Sequence, residues 1–186
     1  FGHNIIKPRP ALVAINTKEN TKSLKGLRAA TVAYLYRGGN LIKSEVGETQ
    51  FTDYGLSGIN IMQLSLFCKS GDKILLDLFK DISPEDLTDS FLNRKRLLSG
   101  RKTDVFFTGV LAKMLSQYIC DILKIDKSAN VSALSDNDIR SMAKLCKGLC
   151  FTVDSTLSFK DAQISLGGAD LREFCPDTLE SEKCSN

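Results

Sequence analysis

The sequence holds no tryptophan, one histidine and four prolines in 186 residues. With His3 alone, a zinc site would need its further ligands from scattered thiols, so no metal centre is expected. The six cysteines (Cys68, Cys120, Cys146, Cys150, Cys175 and Cys184) include no C-x-x-C pair. A chain this long and aliphatic does not need disulfide staples, so the thiols read as reduced and structural, in a cytoplasmic protein. The net charge is only +3, from 25 basic against 22 acidic residues, which argues against a dedicated nucleic-acid surface or a polybasic membrane surface. No apolar run approaches the roughly 18 residues of a membrane-spanning helix. The first residues, FGHNIIKPRPALVAIN, lack a signal-peptide design and an initiator methionine, which suggests an excised or processed piece. G-x-G-x-x-G, P-loop, G-x-S-x-G and H-E-x-x-H motifs are all absent, so the residues alone compose no complete active site.

What is present is a globular composition, 42% hydrophobic and 25% charged, enough for one domain or for one carrying a smaller one. Residues 1–80 are punctuated like a β-rich unit. After Pro8 and Pro10, Ala11 to Ile15 reads as a short strand. Ala29 to Tyr36, rich in β-branched and aromatic residues, reads as another, and Gly38-Gly39 as a hairpin turn into Leu41 to Val46. Beyond GETQFTDYGLSG, the spacing of Ile59, Met62 and Leu66 predicts a helix with those residues on one face and Ser57 as its cap. Gly71 ends it, and Lys73 to Phe79 returns as a strand.

Residues 83–148 read as helical. Ser83-Pro84-Glu85-Asp86 combines a cap, a proline at the first helical position and acids at the positive helix end, with Leu87, Phe91 and Leu98 following at helical spacing. From Thr103 onward, Phe107, Leu111, Met114, Tyr118 and Ile122 predict one apolar stripe. Ser135 to Asp138 resembles a capping box ahead of Ile139, Met142, Ala143, Cys146 and Leu149. Residues 150–186 turn β again. The expected fold is therefore α+β: a discontinuous, barrel-like β-rich unit (1–80 plus 150–186) with a small helical bundle (83–148) inserted in it.

Candidate functional residues are few. His3 could serve as a base but has no paired nucleophile in sequence. Ser57-Gly58 could present free amides to an anion, though simple capping explains the pair as well. Arg9, between two prolines, has its guanidinium well aimed, and a structural ion pair is its commoner use. Arg94, Lys95, Arg96, Arg101 and Lys102 form a basic cluster with no aromatic platform beside it, a solvated helix end rather than a nucleic-acid site. The double glycine in QISLGGADLREFCPDTLES marks a place where backbone approaches something closely.

Three stretches carry a resemblance: GHNIIKPRPALVAI, GETQFTDYGLSGINIMQLS and FTVDSTLSFKDAQISLGGADLREFCPDTLES. Together they resemble the inserted domain of the YhiN-like or BaiN-like bacterial flavoproteins, often labelled aminoacetone-oxidase-like. The family forms are close to GHxIxPxRPALVPL, GELLFTHYGLSGPAIL and GFxEAQVTAGGVxLxEIxPxTMES. The resemblance spans essentially the whole chain, with the helical middle matching in pattern only. It implies that parts of an FAD-binding domain precede and follow this sequence. FAD would then be the cofactor of the parent protein, and no cofactor is expected in this piece alone. Ser165, Gly167, Gly168 and Ala169 would lie near the flavin, where the chain leaves the insert and rejoins the flavin domain. The implied partners are that flavin domain and a small-molecule substrate, with no nucleic acid and no membrane.

The sequence departs from those forms at informative places. The family histidine of FTHYG is Asp53 here, its proline after LSG is Ile59, and the residues flanking the double glycine include Ser165 and Ala169. If that histidine faces substrate, Asp53 changes both charge and proton chemistry there, which makes Asp53 and His3 the catalytic candidates. Two functions fit. One is a substrate-covering domain of an FAD-dependent oxidoreductase, inactive alone; the other is a non-catalytic interaction or oligomerisation module.

Overall fold

A computed structural model describes residues 2–184; the outermost ends of the ranges given above, residue 1 and residues 185–186, lie outside the described residues. Eight strands and four α-helices follow one another as β1 (Ile5–Ala11), β2 (Ile15–Thr17), β3 (Arg28–Arg37), β4 (Asn40–Phe51), β5 (Gly55–Ser57), α1 (Ile59–Leu64), β6 (Lys73–Asp77), α2 (Pro84–Leu97), α3 (Lys113–Ile122), α4 (Asp136–Lys147), β7 (Leu149–Thr156) and β8 (Ile164–Ala169). Six strands close into a barrel in the order β2-β5-β4-β3-β6-β7. The remaining two, β1 and β8, pair antiparallel as a separate ribbon.

Alternation makes the barrel. In β3, Thr31, Ala33 and Leu35 are buried while their neighbours are more open, and Ile74 and Leu76 of β6 and Phe51 of β4 point into the same core. Gly38 and Gly39, both at positive φ, turn β3 into β4 with Arg37 facing Asn40, as the hairpin reading predicts. A polar plug closes part of the interior. Asn60, fully buried, donates to the Thr31 and Thr49 hydroxyls at 3.0 and 2.9 Å, and its Oδ1 accepts from Ile61 N at 2.8 Å. A buried amide with all its partners present fixes one arrangement of the strands around it. Gly58 stands against this wall at φ +98°, where a Cβ would overlap the Glu48 carbonyl.

Helices α2, α3 and α4 sit between β6 and β7 in sequence and share the barrel's core. Ser83 caps α2 through Asp86 N, with Pro84 at the first position, and Ser135 with Asp138 forms the reciprocal capping box of α4. Phe91, Phe106 and Phe107 meet edge to face with centroids 5.1–5.7 Å apart, and Tyr118 of α3 stacks on Phe151 of β7. One continuous buried cluster runs from Ile15 and Phe51 through Phe91 and Ile139 to Val153.

Four expectations need correction. The strand expected at Ala11 to Ile15 is two strands, β1 and β2, broken where Leu12 takes φ +46°. Ser57 does not cap α1: it ends β5, and Gly58 is the N-cap, without a side-chain bond. The buried residues of α1 are Asn60, Ile61 and Leu64, whereas Ile59 is 57% exposed. The stripe expected from Phe107 to Ile122 also breaks. A 3₁₀ turn (Thr103–Val105) and an irregular stretch precede α3, which buries Leu115, Ser116, Ile119 and Cys120 and leaves Met114 and Ile122 exposed. In both helices a polar residue (Asn60, Ser116) joins the buried face while some large apolar ones (Ile59, Met114, Ile122) lie outside it, so the chosen spacing picks the wrong face.

Candidate functional site: the paired chain ends

The segments that enter and leave the fold meet at the far end of the β1–β8 ribbon. Ile5 lies opposite Ala169 and Ile6 opposite Gly168, and Asp170 N donates to Asn4 O at 3.0 Å. Past the ribbon the chain makes a 3₁₀ turn (Leu171–Glu173) and folds back so that Phe174 bridges Ser181.

A polar cluster fastens the two segments. Glu173, 9% exposed, accepts from His3 Nδ1 at 2.9 Å, Asn4 N at 3.0 Å, Asn4 Nδ2 at 2.6 Å and Lys183 Nζ at 2.7 Å. The Lys183 ammonium, with further help from the His3 and Asn4 bonds against the cost of burial, holds the Glu173 carboxyl down to about 2. His3 stacks on Phe174, centroids 4.6 Å apart, and its Nε2 lies 3.0 Å from Ser181 Oγ. That oxygen already accepts from Lys183 N and Cys184 N, at 3.0 and 2.9 Å. Its hydrogen therefore points to His3 Nε2, and His3 carries its proton on Nδ1, toward Glu173. The order serine, histidine, acid is that of a nucleophile relay. With both lone pairs of Ser181 engaged by backbone N–H groups, the oxygen has none to attack with. The chemistry this cluster performs is fastening: it ties residues 3–4 to residues 173–183.

The double glycine sits in β8. A Cβ on Gly167, at φ +101°, would lie 2.8 Å from the carbonyl oxygens of Ile6 and Lys7, so its near neighbour is β1 of the same chain. Gly168, at φ +114°, has open space on its Cβ side. Ser165 and Ala169 are exposed and pair with Pro10 and Ile5. Among the described residues β8 pairs with β1 only, so the other edge of this run has no strand partner there. A bare strand edge beside a glycine with room above it suits a flat ring or a further strand, and so fits the wall of a flavin site. It offers no glycine-rich phosphate loop of its own.

The remaining candidates lie elsewhere. Asp53 is in the β4–β5 turn, where an exposed ion pair with Lys25 at 2.7 Å lowers its pKa; no bond joins it to His3. Arg9 donates to the Ser65 and Leu66 carbonyls at the end of α1, a structural role that Arg37 shares through Phe67 O and Asp72. Within the basic cluster, Arg94 is bonded to the Phe106 and Thr108 carbonyls and Lys95 to Asp136, while Arg96, Arg101 and Lys102 are exposed. Asn4, Glu173, Ser181 and Lys183 escaped the sequence reading. The signal for them was that Gly-His opens the first resembling stretch and Glu-Ser closes the last.

Comparison with known proteins gives a consistent picture. Residues 9–164 match the HI0933-like protein barrel and H2TH domain. The chain is 26% identical to the 3-dehydro-bile acid delta(4,6)-reductase of Clostridium scindens, over 97% of this chain and 46% of that protein. It is 22% identical to the ribosomal RNA dihydrouridine synthase of Haemophilus influenzae, over 100% and 45%, and 25% identical to that of Escherichia coli, over 98% and 45%. The chain thus spans less than half the length of these curated relatives.

Proposed function

Because the chain belongs to the HI0933-like protein family, a flavoprotein oxidoreductase family, we propose that it is the barrel-and-helix insert of a larger FAD-dependent oxidoreductase. In this reading the β1–β8 ribbon joins it to a flavin domain, and the insert covers the substrate and excludes water from it. The observation that carries the reading is the bareness of the ribbon. Ile5 and Ile6, consecutive residues on opposite faces, are 67% and 53% exposed, and Leu171 and Leu179 nearby are 82% and 76% exposed. A two-stranded ribbon with apolar side chains bare on both faces is marginal in water and gains stability when covered.

FAD bound in the parent protein would exchange a hydride with the substrate. This chain's residues would supply the rest of the enclosure. The unpaired edge of β8, from Ser165 to Ala169, would lie beside the ring, and Gly168 would admit close approach. Glu173, with His3, Asn4, Ser181 and Lys183, would hold the two crossover segments in register so that the insert sits at one angle over the site. The relatives' names, a delta(4,6)-reductase and dihydrouridine synthases, both describe adding hydrogen to an unsaturated substrate. Reduction of a carbon–carbon double bond is therefore the reaction class carried over; the relatives differ in substrate, a bile acid in one name and ribosomal RNA in the other two, and the small-molecule reading follows the first of them.

Flavin retention tests the reading. The purified chain, incubated with FAD and desalted, should keep no stoichiometric flavin absorbance, whereas the parent protein should keep it. Ile6→Lys in the parent should lower that occupancy. Stoichiometric flavin on the chain alone would overturn the proposal, and so would full occupancy in the parent variant.

A further inference from the structure

We propose that the open stretch of β4, from Asn40 to Val46, is a self-pairing edge. Two copies of this chain associate there by antiparallel strand pairing about a two-fold axis at Ser44. The contact is separate from the β1–β8 ribbon and independent of the function proposed above. β4 closes the barrel only through its last residues: it pairs with β3 from Asn40 to Gln50, but with β5 at Gln50 and Phe51 alone. Around Gly47 and Glu48 the start of α1 covers the edge, with Ile59 against Gly47 and Gly58 against Glu48 O. Ahead of that, Asn40 to Val46 has no second strand beside it among the described residues, and Leu41, Ile42 and Val46 are exposed. A bare edge of this kind is a template for a further strand.

The direction of the backbone groups follows from the far end of the strand. Phe51 N donates to Leu27 O at 2.9 Å, on the β3 side, and Thr52 N donates to Gly55 O at 2.9 Å, on the β5 side. These directions alternate along a strand, and the register with β3 is unbroken from Gln50 back to Lys43. Lys43 and Glu45 therefore bond toward β3, while Ser44 and Val46 turn their N–H and C=O groups to the bare edge.

Charge selects the occupant and the register. An axis at Ser44 sets Lys43 opposite Glu45 of the second copy and Ile42 opposite Val46 of the second copy, each pair occurring twice by symmetry. Lys43 and Glu45 then stand at positions without hydrogen bonds across the contact, where opposed side chains come closest. Shifting the axis to Lys43 or to Glu45 would set like charges against each other. An axis at Val46 needs the edge at Glu48, which Gly58 already occupies. Within one copy Lys43 and Glu45 face each other at 3.3 Å and are partly open to solvent, so one internal pair can become two intermolecular ones. The register slip at Ile42 bends the strand and ends the ladder, which keeps the contact short and reversible.

Sedimentation equilibrium of the purified chain tests this. The chain should pass from monomer to dimer between about 10 µM and about 1 mM, the range of a small, weak interface, and go no further because a two-fold contact is closed. Lys43→Glu and Glu45→Lys, each alone, should weaken association at least about tenfold by setting like charges opposite one another, with the melting temperature little changed. An equimolar mixture of these two variants should associate again, because every opposed pair across the mixed contact is then unlike. Ser44→Pro deletes an N–H that faces only the bare edge, so it should abolish association and spare the melting temperature. Ile6→Lys, on the ribbon, should leave association unchanged. Single variants that associate as well as the unaltered chain, a mixture that regains nothing, or loss of association in Ile6→Lys would overturn the proposal. So would a chain that stays monomeric throughout, which would leave the edge to a partner other than a second copy.

Discussion

The barrel and the ribbon are built from the same kind of antiparallel pairing, yet only one of them is complete. In the barrel every strand has two neighbours, the buried amide of Asn60 has all its partners, and Ile15, Leu35, Phe51 and Phe151 are sealed. In the ribbon each strand has one neighbour, both faces of Ile5-Ile6 are bare, and the polar fastening is confined to the far end around Glu173. Closure removes edges and stabilises the barrel by its own contacts. In the function proposed above, this open ribbon with its firm buckle and bare flanks is the part that meets the flavin domain.

The difference can be broken most severely from the barrel side. Gly58→Ala should abolish folding, a cost of more than about 4 kcal/mol, because the new Cβ would overlap Glu48 O at a φ of +98°. Soluble, cooperatively melting protein would contradict this.

Next in size is Asp72→Asn. Asp72 is 3% exposed and paired with Arg37 through two bonds of 2.8 and 2.7 Å. Burial alone would raise its pKa, but the Arg37 guanidinium and the Lys69 N–H outweigh that and hold it below the usual carboxylate range. A lowered folded-state pKa stabilises the fold fully above the unfolded value, about 3.9, and the gain fades as pH falls below it. The substitution should therefore cost about 2 kcal/mol near neutral pH and progressively less in acid, measured by urea unfolding at several pH values. An equal cost at pH 7 and pH 3 would remove the ion pair from the account.

The smallest effect on global stability is expected in the ribbon. Gly167→Ala sets a Cβ against the Ile6 and Lys7 carbonyls and should open β8 from β1 at a local cost of about 1–3 kcal/mol. The barrel's unfolding midpoint should hardly move, since the ribbon lies outside its closed ring. A drop comparable with that of Asp72→Asn would mean that ribbon and barrel unfold as one unit.

Much of this contrast was legible in the sequence, for physical reasons that can be named. Hairpin glycines at 38 and 39 and helix caps at Ser83 and Ser135 are local signals, and each stands where it was read. The faces of α1 and α3 were not legible, because what each buries at key places is Asn60 and Ser116, residues chosen for hydrogen bonding or fit rather than apolarity. β1 was misplaced because Pro8 and Pro10 were read as extended chain leading into a strand at Ala11 to Ile15, whereas they lie within β1 itself. They are tolerated in a ribbon edge, where the register slips between Ile6 and Arg9. The cluster of His3, Glu173 and Ser181 joins residues 170 positions apart (His3–Glu173) and 178 apart (His3–Ser181), and no local rule brings them together.

Amide hydrogen exchange, measured on this chain and on the proposed larger parent protein side by side, tests the central claim most directly. The account predicts that in the chain alone the amides of Ile5 to Lys7 and Ser165 to Ala169 exchange far faster than those of β3 and β4. In the parent the same ribbon amides should slow by at least about tenfold, because a covering domain adds roughly 1.4 kcal/mol or more to local opening. Ribbon amides that exchange at the same rate in both proteins would contradict it.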